Sequence, residues 1–379
     1  MFLMDMPAEN YLPRPAPLFC PSKIVLAKGS NSTDKRREFA QKICAAYPDA
    51  EVIEAFDLPH NRIDLKEADL LRLHDRGKHT LVLGEHLSAV GFSKEKGNSC
   101  PNYWHFSPYG FCPYGCQYCY LAGTPGVRFS PTVKIFLNLP EILAEVDQTA
   151  ARLERPTAFY LGKLQDGLAL EPLSGYARLM IPFFARHPYA RLVILTKSTN
   201  VENILDLEHA GKTIMSWTLN APEVGRRFEK NTPDVMDRIE SMRRCAEVGY
   251  AVRAVVMPII PATGWEDIYG RFLSVLLSSV SLSRITLGSI CSYPEAQRLM
   301  ELKMSKNNEI SMLLDQSTDR SEDGRHRFDC SVREQVYRYI INCIRRMQPG
   351  LKIGLCLEDE LMFDALNMRE SLGRCNCIL

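Results

Sequence analysis

The stretch Phe111-Cys-Pro-Tyr-Gly-Cys-Gln-Tyr-Cys-Tyr120 decides how this sequence is to be interpreted. Cys112, Cys116 and Cys119 follow the spacing C-x3-C-x2-C, and an aromatic residue, Tyr118, stands directly before the third cysteine. Three thiolates on one short loop can hold three irons of a [4Fe–4S] cube and leave the fourth iron without a protein ligand. Because an open iron can bind and reduce another molecule, the loop is predicted to be a reaction centre.

Zinc is the alternative metal for these three cysteines. Zinc sites usually pair a C-x2-C knuckle with a second knuckle or with an H-x3–5-H pair. The sequence has no second C-x2-C knuckle, and C-x3-C-x2-C is not a usual zinc spacing. The spacing therefore favours an iron–sulfur cluster.

Around the cysteine loop, short apolar strands alternate with amphipathic helices. The predicted strands are Trp104–Phe106, Ala158–Gly162, Leu192–Lys197, Ile214–Leu219, Ala251–Met257, Ile285–Leu287 and Lys352–Leu355, and the predicted helices are Leu139–Leu153, Val201–His209, Val235–Glu247 and Ser331–Met347. This alternation predicts an α/β fold with a parallel sheet of βα units, which closes partway as a partial (β/α)6 TIM-like barrel. In such barrels the chemistry gathers at the carboxyl ends of the strands, where the cysteine loop follows the first strand.

A smaller α/β unit precedes the barrel. Its predicted strands are Lys23–Ala27, Glu51–Ala55 and Thr80–Gly84, and a basic linker, Arg72–His79, leads into the third. The unit lacks G-x-G-x-x-G, so it is not predicted to bind a dinucleotide. We divide the chain into an extended arm (1–22), this unit (23–95), the barrel (100–357) and a cysteine-containing tail (358–379).

Composition narrows the functional class. A formal net charge of +1 gives no general attraction to nucleic acid. No apolar run reaches the length of a membrane span, and the first ten residues lack the pattern of a secretory signal. An odd count of 13 cysteines in this context favours reduced thiols and a cytoplasmic location. No feature of the sequence sets an oligomeric state.

The motif C-x3-C-x-aromatic-C after the first strand of a βα series resembles the radical S-adenosylmethionine (SAM) superfamily. Within it, the chain resembles the spore photoproduct lyase family from about residue 20 to residue 355. The matching stretches are His60-Asn-Arg62, Leu81-Val-Leu-Gly84, Ser107-Pro-Tyr109, Cys119-Tyr-Leu121, Phe136-Leu-Asn-Leu139, Leu195-Thr-Lys197, Thr218-Leu-Asn220, Ala246-Glu-Val-Gly-Tyr250 and Met257-Pro-Ile259 with Gly264-Trp265.

The resemblance implies a site and a reaction. Cys112, Cys116 and Cys119 would ligate the cluster, whose open iron chelates SAM, and the reduced cluster would cleave SAM to start radical chemistry on a substrate. The residues implied to contact SAM are Tyr118, Tyr120, Gly162, Lys197, Thr218 and Asn220. Lys197 suits a carboxylate, while Thr218 and Asn220 suit ribose hydroxyls. A reductant such as flavodoxin or ferredoxin is the implied partner.

Two features depart from the family. Lys163 stands where these lyases have the cysteine that returns a hydrogen atom to the product. In place of their aromatic, base-holding segment, the chain has Ser317–Arg327, which is charged and contains no aromatic residue. We therefore expect an undetermined small-molecule substrate rather than DNA, and DNA photoproduct repair is the alternative.

The tail is an addition to the family pattern. It brings Cys375 and Cys377, and we expect them to act with Cys356, which closes the last barrel strand, either catalytically or as ligands of a second metal or cluster. They could also hold a soft acceptor such as trivalent arsenic, to which an aminocarboxypropyl group of SAM would be transferred. A non-catalytic iron–sulfur or zinc protein is the alternative outside enzymes.

Overall fold

The computed structural model describes residues 11–95, 97–124, 127 and 130–379. The chain divides into two compact units. The first comprises the residues up to Phe92, Trp104–Tyr114 and Thr124–Thr213, and the second comprises Ser93–Tyr103, Gly115–Gly123 and Ile214–Leu379. The four sequence segments named above stay a prediction, and residues 1–10 of the arm lie outside the described residues.

Strands and helices alternate along most of the chain. The strands are β1 Lys23–Ala27, β2 Glu51–Ala55, β3 Thr80–Gly84, β4 Val90–Ser93, β5 Tyr103–Phe106, β6 Tyr109–Gly110, β7 Gly115–Cys116, β8 Val133–Phe136, β9 Thr157–Leu161, β10 Ala190–Thr196, β11 Thr213–Leu219, β12 Glu229–Lys230, β13 Ala251–Ile259, β14 Arg284–Ser289, β15 Cys291–Ser292, β16 His326–Arg327 and β17 Ile353–Leu355. The helices are α1 Asp34–Ala45, α2 Leu70–Lys78, α3 Leu139–Leu153, α4 Glu171–Ser174, α5 Ala177–Arg186, α6 Pro222–Phe228, α7 Val235–Glu247, α8 Trp265–Ser279, α9 Pro294–Met304, α10 Glu309–Asp315, α11 Cys330–Met347 and α12 Glu360–Ala365. Single 3-10 turns lie at Tyr120–Gly123 and Arg369–Ser371.

The first unit contains a five-stranded sheet in the order β2-β1-β3-β8-β6. Its first three strands have the predicted bounds, and Val25 and Val82 are buried among them. The sheet extends further than predicted, because β8 pairs in parallel with β3 and β6 pairs antiparallel with β8. In sequence, β6 directly precedes the cysteine loop and β8 follows it.

Parallel pairing continues in both units. In the first unit, β9 pairs in parallel with β10 and with β5. In the second unit, β11, β13, β14 and β17 follow one another in parallel. The predicted parallel βα order is therefore confirmed, with strand bounds that differ by a residue or two.

Three predicted segments differ from the structure. The basic stretch Arg72–His79 is mostly helix α2, which begins after Asp69, whose carboxylate accepts the Arg72 N–H at 2.9 Å. Val201–His209 forms turns rather than a helix, with hydrogen bonds from the Ile204 N–H to the Val201 carbonyl and from the Leu207 N–H to the Ile204 carbonyl. The tail sequence predicts a helix over Asp359–Leu372, but the helix ends at Ala365, and Asn367 just beyond it adopts a positive φ of 52°.

The length and apolarity of the helices show whether any of them could cross a membrane. None of the helices in the part of the chain that the structure describes is long and apolar enough to cross a membrane.

Candidate active site

A short antiparallel pair holds the part of the cysteine loop that belongs to the second unit, which begins at Gly115. Cys116 in β7 lies opposite Glu229 in β12, and Gly115 lies opposite Lys230. A Cβ atom on Gly115 would lie 2.8 Å from the Lys230 carbonyl oxygen, so this position has no room for a side chain. The loop therefore needs glycine directly before its second cysteine.

Behind this pair lies a buried network that sequence reasoning missed. Tyr118 donates a hydrogen bond to the Glu229 carboxylate, and Arg238 pairs with the same carboxylate at 2.6 Å. Both charged side chains are almost fully buried, at 1% and 0% exposure. Burial, followed by the Glu229 charge, raises the pKa of Tyr118 well above its usual value. Tyr118 thus anchors the loop to α7. In the sequence, the feature that could have revealed this network is Arg238, an arginine on the apolar face of that helix.

The three loop cysteines fit an iron–sulfur cluster by the chemistry of their donors. Cys112, Cys116 and Cys119 form no disulfide, and Cys116 is the most buried of the three. The Lys78 ammonium, at the end of α2, donates to the carbonyl oxygens of Cys112 and Tyr114, the latter at 2.7 Å. Thiolates are the ligands that [4Fe–4S] clusters use, and a neighbouring ammonium lowers the cost of their negative charge.

Gly162 follows β9 in the first unit, at a point of close packing. A Cβ atom there would lie 2.7 Å from a Tyr160 ring carbon and 2.8 Å from the Leu195 Cβ. Glycine is therefore required for packing, and its backbone remains the predicted contact for SAM.

Lys197 directly follows β10, and its main chain is fixed by a residue that sequence reasoning did not select. The buried Asp166 carboxylate accepts hydrogen bonds from the Lys197 N–H at 2.8 Å and from the Thr196 hydroxyl at 2.6 Å. It also accepts from the N–H groups of Leu168 and Ala169. Burial raises the pKa of Asp166, whereas these hydrogen bonds lower it. Asp166 therefore sets the direction in which Lys197 leaves the strand.

Thr218 and Asn220 lie at the carboxyl end of β11 in the second unit. Thr218 is half-buried. Asn220 is fully buried, and its side chain bonds the Pro258 carbonyl at 2.7 Å and the Tyr269 hydroxyl at 2.6 Å. Asn220 thus fastens β11 to the neighbouring strand and helix, and its contact with SAM stays a prediction.

In the second unit, Cys356 and Cys375 lie close to each other and to Cys100, a cysteine that the sequence analysis did not select. The sulfur atoms of Cys100, Cys356 and Cys375 all lie within 4.8 Å of one another. Hydrogen bonds from Cys100, Cys356 and Cys377 lower the pKa of the Cys375 thiol well below its usual value. We call Cys100, Cys356, Cys375 and Cys377 the thiol cluster.

The thiol cluster and the cysteine loop share a neighbour in Tyr120. This tyrosine directly follows Cys119 and is 38% exposed. Its hydroxyl interacts electrostatically with Cys119, Glu95 and Cys356. Tyr120 is therefore near enough to interact with one cysteine of the loop and one of the thiol cluster.

Lys163, the departure from the family, lies just past β9 beside a histidine. Burial, and then the Lys163 charge, lowers the pKa of His105 to about 4. His105 is therefore neutral near pH 7, and Lys163 is the cation at this strand end.

A parallel βα series with a three-cysteine loop behind its first strand defines a radical SAM enzyme. The chain belongs to the spore photoproduct lyase family, whose sequence model matches residues 32–339. The expected resemblance and the α/β partial barrel are therefore confirmed.

Individual relatives agree with the family assignment. The chain is 29% identical over 282 residues to the spore photoproduct lyase of a Geobacillus species, covering 72% of this chain and 77% of that protein. It is 29% identical over 220 residues to the spore photoproduct lyase of Bacillus subtilis, covering 57% of this chain and 62% of that protein.

Solved structures show the same fold. A spore photoproduct lyase complexed with dinucleoside spore photoproduct superposes with a TM-score of 0.76 at 23% identity, covering 88% of this chain and 98% of that one. A spore photoproduct lyase mutant with bound AdoMet and dinucleoside spore photoproduct also gives a TM-score of 0.76, at 22% identity.

Proposed function

We propose that this protein holds a [4Fe–4S] cluster on Cys112, Cys116 and Cys119 and acts on SAM as a radical enzyme. The observation that carries the proposal is the three-thiol loop, anchored by the β7–β12 pair and by the Tyr118–Glu229–Arg238 network. When bound, the cluster and SAM supply a one-electron reductive cleavage of a carbon–sulfur bond.

The chain's own residues would bind and orient SAM. Lys197, directed by Asp166, supplies a cation for the SAM carboxylate. The half-buried Thr218 offers a hydroxyl to the ribose, and Gly162 offers backbone where no side chain fits. Tyr120, beside Cys119, is placed to pack against the bound molecule.

The experiment is anaerobic reconstitution, followed by reduction and product analysis with SAM. Wild type is expected to bind iron and sulfide and to release 5′-deoxyadenosine, whereas Cys116→Ala should lose both properties. Cys330→Ala, an exposed cysteine on α11, is the matched control and should behave as wild type. Iron binding without any product from SAM would favour the non-catalytic alternative.

The substrate has two candidates. Family membership, and a related structure that contains dinucleoside spore photoproduct, favour repair of this DNA lesion. Lys163 in place of the donor cysteine favours a different substrate, because a lysine does not return a hydrogen atom as a thiol does. Incubation with dinucleoside spore photoproduct distinguishes the two candidates. Formation of thymidine nucleoside products supports repair of the lesion. Release of 5′-deoxyadenosine without thymidine products supports a small-molecule substrate.

Aminocarboxypropyl transfer would leave its own product. If the thiol cluster holds an acceptor for that group, SAM breaks at a different carbon–sulfur bond and methylthioadenosine accumulates. The same chromatogram therefore distinguishes this reaction from the proposed one. The reductant, such as flavodoxin or ferredoxin, is replaced by dithionite in all of these assays.

A further inference from the structure

The thiol cluster combines residues from three parts of the second unit. Cys100 precedes β5, Cys356 follows β17, and Cys375 and Cys377 lie near the end of the tail. The three sulfur atoms of Cys100, Cys356 and Cys375 lie within 4.8 Å of one another, and Cys377 is hydrogen-bonded to Cys375. None of the four takes part in a disulfide.

We propose that Cys100, Cys356 and Cys375 bind a single thiophilic metal ion of the zinc class, with Cys377 as the fourth ligand. Tetrahedral zinc with Zn–S bonds of about 2.3 Å places its sulfurs about 3.8 Å apart, which is within the 4.8 Å limit on the separations of the Cys100, Cys356 and Cys375 sulfurs. The thiolates of an iron–sulfur cube are held apart by the cube itself. The compact spacing therefore favours one ion over a second cluster. This inference goes beyond the proposed SAM chemistry and does not depend on it.

Main-chain contacts prepare the sulfurs for a metal ion. The Leu357 N–H points at the Cys100 sulfur at 3.2 Å, which stabilises a thiolate there. The Cys356 N–H is bonded to the Leu287 carbonyl at 2.8 Å, which fixes the first residue after β17. Main-chain contacts thus hold Cys100 and Cys356 in place before any ion binds.

Buried positive charge surrounds the tail. Arg253 and Arg284 are 5% and 7% exposed, so both guanidiniums are buried. Their Nη atoms donate hydrogen bonds to main-chain oxygens of the tail, including that of Cys375 at 2.6 Å. Both Nε atoms are buried, and neither has a hydrogen-bond partner among the residues that the structure describes. Both guanidiniums interact electrostatically with the Cys375 sulfur.

This charge matches what a metal thiolate centre needs. A divalent ion with four thiolates carries a net charge of about −2, and two guanidiniums balance it. Burying a guanidinium is costly unless negative charge lies nearby, so the two arginines and the metal-bound thiolates stabilise each other. Arg253 and Arg284 therefore favour thiolates over neutral thiols in the thiol cluster.

The experiment measures zinc and cobalt binding in the full-length protein. We expect about one zinc per chain by elemental analysis and, after substitution with Co²⁺, the intense absorption of tetrahedral cobalt thiolate. Cys100→Ser and Cys375→Ser should lose both signals. Cys343→Ser, on α11, is the control that should keep them. Circular dichroism of each metal-free variant checks that it has folded.

A second variant separates this proposal from the proposed function. Cys116→Ala should lose iron but keep the zinc, and Cys375→Ser should keep the iron of the cysteine loop. Three results would overturn the proposal: zinc that persists in both Cys100→Ser and Cys375→Ser, iron and sulfide that disappear together in Cys375→Ser, or wild type that binds no Zn²⁺ or Co²⁺ with its thiols reduced.

Discussion

At the scale of single residues, the cysteine loop depends on a buried ion pair. Arg238 and Glu229 compensate each other where neither can reach water, and Tyr118 joins them. Removing one partner of a buried pair typically costs about 3–5 kcal/mol, because the remaining charge is left uncompensated. The stability of the loop is thus linked to a residue of α7 that is far from it in sequence.

Arg238→Met is predicted to lower the free energy of unfolding by about 3–5 kcal/mol and to reduce the iron bound after reconstitution. Guanidinium unfolding and iron analysis measure the two effects. Arg243→Met is the matched control on the same helix, since its partners Glu240 and Glu247 are solvent-exposed and such pairs contribute about 1 kcal/mol or less. Equal losses in the two variants would contradict the prediction.

Glu171 gives the first unit a pH dependence. Burial raises the pKa of this carboxyl from its ordinary value of 4.5 to about 7, while the Ala177 N–H, which donates to it at 2.9 Å, lowers it. A raised folded-state pKa means that the folded chain keeps a proton that the unfolded chain releases. The contribution to stability is therefore complete below the unfolded pKa and is lost as the pH rises toward 7.

Glu171→Gln is predicted to remove this dependence, because glutamine is neutral at every pH. Between about pH 5 and pH 7, the wild-type free energy of unfolding should fall by up to about 1.4 kcal/mol per pH unit relative to the variant. Urea unfolding at several pH values measures the difference. Parallel pH profiles for the two proteins would refute the assignment.

At the scale of helices and strands, local patterns predicted the elements wherever packing agreed with periodicity. Helices α3 and α7 have the bounds that their apolar periodicity predicts, because one face of each is buried. Val201–His209 has a helical pattern but forms turns, and the Arg178 side chain of α5 donates to the Asn203 carbonyl there. A contact with a side chain this distant in sequence leaves no local pattern.

Gly115→Ala is predicted to displace the cysteine loop from β12. The new Cβ would lie 2.8 Å from the Lys230 carbonyl oxygen, and backbone on both sides leaves little freedom to adjust. Iron and sulfide binding should fall severalfold, whereas the rest of the protein keeps its circular dichroism spectrum. Gly350→Ala, where nothing lies within 4 Å of the new atom, should bind as much iron as wild type. Full occupancy in Gly115→Ala would show that the loop does not need this pairing.

At the scale of the whole molecule, the sequence predicted the cysteine loop but only part of the thiol cluster. The loop ligands are close in sequence, so their spacing alone identifies them. Cys100 joins Cys356 and Cys375 only through the fold, and no sequence spacing links residues so far apart. The same holds for Arg253 and Arg284, whose role depends on where the tail returns.

Removal of residues 375–379 is predicted to destabilise the second unit. Arg253 and Arg284 would lose the carbonyl oxygens of Cys375, Asn376, Ile378 and Leu379, which are their hydrogen-bond acceptors. Buried guanidiniums without partners cost about 3–5 kcal/mol, so the melting temperature should fall by several degrees. Replacing both arginines with methionine in the shortened chain should recover part of the loss, because the buried charges are then absent. If the shortened chain has the same melting temperature as the full-length protein, the tail does not contribute to stability.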